Sequence, residues 1–146
     1  MTDIVDTEHG YSVSIPATTP DGQAVAIQTG ERGGVHLMHA ESGDLSELYF
    51  EVAAYPDVRD HVALADGQRR FLTDQSADVE VSDTRGLVVG RFAGTGFDVR
   101  GTLQGRWKER RFLFVDGPTR TYRIVHDPRS PFNERVFASM RIHGLD

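Results

Sequence analysis

Apolar and polar residues alternate at a period of two through most of the chain, and they give way twice to three- and four-residue spacing. Tyr11-Ser12-Val13-Ser14-Ile15 is the clearest alternating run, and Pro16 followed by Thr19-Pro20-Asp21-Gly22 ends it in a turn. Gln23 to Gln28 reads as a second strand, with Val25 and Ile27 on one face. Thr29 to Gly34 reads as a turn, and Val35 to Glu41 and Glu47 to Ala54 as two further strands. Over residues 58–77 the period changes. Val58, Val62, Leu64, Ala65, Phe71 and Leu72 fall at helical spacing after Asp57, a residue suited to an N-cap, and Gly67 is a point where such a helix would bend or split.

Strand signals then return at Val79 to Thr84, Leu87 to Ala93, Phe97 to about Trp107, Arg111 to Val115 and Thr119 to His126. They are joined by Thr84-Arg85-Gly86, Gly94-Thr95-Gly96 and Asp116-Gly117-Pro118, and such short links predict an antiparallel meander. Phe112-Leu113-Phe114-Val115 is apolar at four consecutive positions, so both faces of that strand are expected to be covered. At the end of the chain Ser130 is suited to cap a helix and Pro131 to its first position. Phe132, Val136, Phe137 and Met140 recur at helical spacing before Gly144 stops the run. These patterns predict an α+β fold: an antiparallel β-sheet of about six to eight strands, flanked by a central helix and a C-terminal helix. They describe a single domain over 1–146, its folded unit running from about Gly10 to Ile142 between short tails. A β-rich barrel flanked or plugged by one helix, with a cavity for a small apolar ligand, is the alternative architecture.

Two segments resemble the PsbP/Mog-like superfamily, which includes DcrB-type envelope proteins. Gly10-Tyr11-Ser12-Val13-Ser14-Ile15-Pro16 is similar to its opening Gly-aromatic strand, and Arg120-Thr121-Tyr122-Arg123-Ile124-Val125, with the helix from Phe132 to Ile142, is similar to its last strand and closing helix. That helix commonly runs through a serine-containing stretch back into a short strand. The resemblance implies an α/β/α sandwich and, since the superfamily consists mostly of binding modules and accessory subunits, a chaperone-like protein-binding role without catalysis. The tryptophan that many members carry after the opening proline is absent, with Ala17-Thr18-Thr19 in its place.

Composition narrows the chemistry. The 146 residues include no cysteine, which excludes disulfides, thiolate metal sites and a cysteine nucleophile. The net charge of −6, from 22 acids against 16 Lys plus Arg, argues against nucleic acid as a partner, and no run of about 20 apolar residues suggests a membrane partner. The acidic N-terminus has neither a basic region nor an apolar core of the kind that marks a leader, so a cytoplasmic setting is the expectation. No Gly-x-Ser-x-Gly elbow occurs, so no catalytic residue and no cofactor is expected. His36 and His39 stand three apart in a strand, on opposite faces. A metal site would have to be assembled from distant segments, and none is expected.

One charged feature remains. Arg106-Trp107-Lys108-Glu109-Arg110-Arg111 sets four cations and one acid beside the only tryptophan. In extended chain Arg106, Lys108 and Arg110 share one side and Trp107 the other, and Arg100 on the preceding strand could join a basic stripe. Arg100, Arg106, Trp107, Lys108 and Arg110 are therefore the candidate contacts for a partner, expected to be another protein. The second reading is a small-molecule binder or enzyme with a pocket between helix and sheet, in which Arg100, Arg106 or His126 would meet an anionic group.

Overall fold

The computed structural model describes residues 2–42, 48–56, 58–75, 78–103 and 105–143. Among the described residues the fold is α+β with two helices, and every strand pairing is antiparallel. The strands are β1 (Thr2–Asp6), β2 (Tyr11–Ile15), β3 (Val25–Arg32), β4 (Val35–Ser42), β5 (Tyr49–Tyr55), β6 (Val79–Val81), β7 (Arg85–Val89), β8 (Phe92–Leu103), β9 (Arg106–Asp116), β10 (Thr121–His126) and β11 (Arg141–Ile142). Helix α1 (His61–Gln75) follows β5, and α2 (Pro131–Ser139) follows β10. The larger sheet runs in the order β3-β4-β5-β10-β9-β8-β6, with β7 also paired to β8; the smaller is β1-β2-β11. The larger sheet is an open ladder with β3 and β6 at its ends, not a closed barrel.

Period-two alternation sends the two sides of this sheet into two cores. Leu113 and Val115 of β9 join Phe50, Val52, Tyr122 and Ile124 under the smaller sheet and α2, where β2 contributes Tyr11, Val13 and Ile15 and α2 contributes Val136. Phe112 and Phe114 turn to the opposite side and meet Phe97, Val99 and Ala65 beneath α1. The apolar run at 112–115 is thus covered on both faces, as its pattern predicts. Phe97 stacks between Phe112, 5.1 Å away, and Phe114, 6.3 Å away. Full burial of each such ring contributes about 1.5–3 kcal/mol.

The C-terminal helix begins as expected. The Ser130 hydroxyl accepts the Phe132 N–H, and Pro131 occupies the first turn. After α2 the Ser139 hydroxyl accepts the Ser14 N–H at 2.9 Å, and β11 then pairs with β2. Gly144 lies outside the described residues.

Several expectations need correction. The segment before Gly10 is no tail: β1 pairs with β2 along its whole length, Thr2 opposite Ile15 through Asp6 opposite Tyr11. Helix α1 spans 61–75 and passes through Gly67 without a break. Asp57 lies outside the described residues, and it is Asp60 that caps α1, its carboxylate accepting the Ala63 N–H at 3.0 Å. The helix turns Leu64, Ala65, Gln68 and Leu72 toward the sheet and leaves Val62 and Phe71 exposed. Gly94-Thr95-Gly96 is the interior of β8, not a turn. A Cβ on Gly94 would stand 2.6 Å from the Phe114 carbonyl oxygen, and one on Gly96 would stand 2.6 Å from Leu87 Cδ2, so these glycines serve the close approach of neighbouring chains. The hairpin that was expected nearer Arg111 turns between Leu103 and Arg106, with Gly105 at φ +80°, so the whole basic run lies within β9.

Candidate binding groove

Helix α1 packs on β6, β8 and β9. Beside it the same face of β4, β5 and β10 is partly exposed: Ala53 and Val125 are buried, and His39, Glu41, Tyr49, Glu51 and Arg123 are half-buried. Strand spacing makes three strands about 14 Å wide, and a helix is about 10–12 Å across. This face carries a depression of about 450 Å³ lined by His39, Glu41, Tyr49, Glu51, Lys108 and Arg110, with Phe112 and Val125 in its floor. A second depression of about 510 Å³, bounded by Leu64, Gly67, Gln68 and Phe71 of α1, continues it and shares Arg123. Both depressions are open to solvent and they meet at Arg123; the two together form the candidate groove between α1 and β4.

The charges in the groove are paired within the protein. Arg123 donates to Glu51 at 2.6 Å and to Gln68 Oε1 at 3.2 Å, which ties the floor to α1. The Tyr49 hydroxyl donates to the other Glu51 oxygen at 3.0 Å. Burial, and then the Glu51 carboxylate, push the Tyr49 phenol up, so it remains a donor. The Arg110 guanidinium lies 3.9 Å over the Tyr49 ring and 3.5 Å from the Asp127 carboxylate, with only 5% of the residue exposed. His39 packs edge-on against Tyr49 and lies 3.3 Å from Glu41.

The basic run is divided by its strand. Lys108 and Arg110 line the groove, whereas Trp107, 60% exposed, projects from the other face of β9. Arg100 pairs in register with Glu109 and so belongs to the Trp107 side, where Glu80 holds it at 2.8 Å. There it borders a separate depression with Asp98 and Arg111. Burial alone would raise Asp98, but the hydrogen bonds and charge of Arg111, and then Arg85, bring it net below the usual carboxylate range. The Arg106 side chain lies outside the described part of the structure. Arg100 thus does not join Lys108 and Arg110, and the single stripe expected from the sequence is two separate surfaces.

His126 lines neither depression of the groove. It is fully buried beside Phe137, and burial holds its pKa below the usual histidine value. Tyr49, Glu51 and Arg123, which organise the groove, were missed in the sequence. Each occupies a strand position that reads as ordinary alternation, and only the pairing of β5 with β10 brings Glu51 and Arg123 to one face.

No helix among the described residues is long and apolar enough to cross a membrane. No family model matches the chain, and no curated protein matches it. Its fold is similar to that of a solved protein from Bacteroides thetaiotaomicron VPI-5482, with a TM-score of 0.59 and 10% sequence identity over 97% of this chain and 48% of that one. The chain therefore spans about half the length of that neighbour, and at this identity the likeness is one of fold alone.

Proposed function

We propose that the chain is a non-catalytic accessory module with a PsbP/Mog-like sandwich fold that holds a helix of a partner polypeptide in the groove beside α1. The observation that carries this reading is the pair of open depressions beside α1, on a side of the sheet where α1 is the only helix among the described residues. Phe71, 59% exposed on α1, gives the groove an apolar rim, and Lys108 stands at its other end. The layer order and the return of Ser139 into β11 support the superfamily reading. The small-molecule reading is weaker, because Arg110 and Arg123 already face Asp127 and Glu51 and the depressions are open.

The test is affinity purification of the tagged chain from its own organism beside two variants. One carries Phe71→Glu with Lys108→Glu in the groove, and the other carries Arg100→Glu on the opposite face. A stoichiometric protein that is lost with the groove variant and retained with Arg100→Glu is the expected result. Recovery of no such protein, or equal loss with both variants, would remove the reading.

A further inference from the structure

Away from the groove, the docking of β1 gathers three residues that the sequence holds far apart. Asp6 ends β1, His9 lies in the turn that follows, and His36 comes from β4. Asp6 Oδ2 is 2.7 Å from His9 Nδ1 and 3.3 Å from His36 Nε2, and the two imidazoles stack at 3.9 Å with 13° between their planes. Two imidazolium rings would repel at that spacing.

We propose that Asp6, His9 and His36 form a site for a divalent transition-metal ion of the Zn²⁺ class. One ligand atom from each residue lies within 4.8 Å of the others. An ion bound at about 2.0–2.2 Å in tetrahedral geometry separates its ligands by roughly 3.3–3.6 Å. The pair of His36 Nε2 and Asp6 Oδ2 already stands at that separation. His9 has to turn out of its stack, because an ion lies near the plane of each imidazole it binds and parallel rings cannot both point at it. The turn position and the partial exposure of His9 leave it room to do so.

The buried Tyr11 hydroxyl, 2.9 Å from the same His36 nitrogen, is the contact an ion would displace. Two imidazoles and one carboxylate suit Zn²⁺, Co²⁺ or Ni²⁺, whereas Mg²⁺ and Ca²⁺ take mainly oxygen ligands. The surroundings favour a cation as well. Glu31 stands opposite His36 in the β3–β4 ladder, and the charges of Glu8 and Glu31 both act on that ring. A bound ion would clamp the β1–β2 turn onto β4 and so fasten the smaller sheet to the larger.

Isothermal titration of the tag-free, chelator-stripped chain with Zn²⁺ tests this, with Co²⁺ absorption as a second readout. One ion per chain is expected. His9→Gln and His36→Gln should each weaken binding by more than about tenfold, the scale that even an outer-sphere partner contributes, and His39→Gln and His61→Gln should leave it unchanged. His9 is a turn residue, so its variant keeps the test valid if His36→Gln unfolds. No binding, or binding that survives His9→Gln, would overturn the proposal.

Discussion

Arg110 is the cation of the basic run whose removal should hurt the fold most. Its guanidinium is buried over the Tyr49 ring, donates to the Glu109 carbonyl at 2.8 Å, and faces Asp127, itself almost inaccessible. Breaking a buried ion pair from one side costs about 3–5 kcal/mol, because the remaining charge stays buried. Here the cost is reduced, since Arg129 holds Asp127 at 2.7 Å. Burial alone would raise the Asp127 carboxyl, but the hydrogen bonds and charge of Arg129, and then Arg110, bring it net down. A desolvated cation–π contact adds about 2 kcal/mol. Arg110→Ala should therefore destabilise by about 3 kcal/mol, and Arg110→Lys, which keeps the charge and loses the planar fork, by about 1–2 kcal/mol. For a domain of this size a 3 kcal/mol loss lowers Tm by roughly 6–12 °C. The assay is urea unfolding followed by tryptophan fluorescence and far-ultraviolet dichroism, with Lys108→Ala as the control expected within about 0.5 kcal/mol of the parent. Combining Arg110→Ala with Asp127→Asn should cost less than the sum of the two single changes, because the stranded charge is removed. Arg110→Ala within about 0.5 kcal/mol of the parent would refute this account of the residue.

Gly67→Ala should stabilise by about 1 kcal/mol in thermal or urea unfolding, since Gly67 is helical and a Cβ there meets nothing within 4 Å. Gly96→Ala should destabilise by about 1–3 kcal/mol through overpacking against Leu87 and Leu113. Leu87→Ala should relieve part of that cost in a double-mutant cycle, whereas a strained turn at Gly96 would show no relief. His126 ties stability to pH: its folded pKa lies below the unfolded value of 6.5, so the unfolded chain binds the proton first, and stability falls as pH drops below about 6.5. His126→Leu should flatten that slope in urea midpoints measured between pH 7.5 and 5.5.

Elements whose signals are local were legible in the sequence. Ser130 and Pro131 announce α2 because cap and first-turn chemistry act within a few residues. Phe112 to Val115 announces a strand covered on both faces because the pattern depends on burial alone. Features created by distant pairing were not. β1 has a single half-buried anchor in Ile4, with Val5 exposed, and it is held mainly by the ladder to β2, which leaves little hydrophobic signature. Gly94 and Gly96 look like turn residues until Leu87 of the neighbouring strand is seen lying over them. The hairpin at Gly105 decides which cations share a face, and a shift of one residue in that turn would exchange the sides of Lys108 and Trp107. The Asp6, His9 and His36 cluster depends on β1 docking beside β4, so no spacing along the chain encodes it.

The polypeptide-binding reading is tested most directly by site-specific photo-crosslinking in the native organism. A benzophenone side chain would be placed at Phe71, on the rim of the groove, and in a second chain at Trp107, which is as exposed but lies on the other face of the sheet. The account predicts one discrete crosslinked polypeptide from position 71 and none from position 107. Crosslinks from position 107 alone, or from neither position, would contradict it.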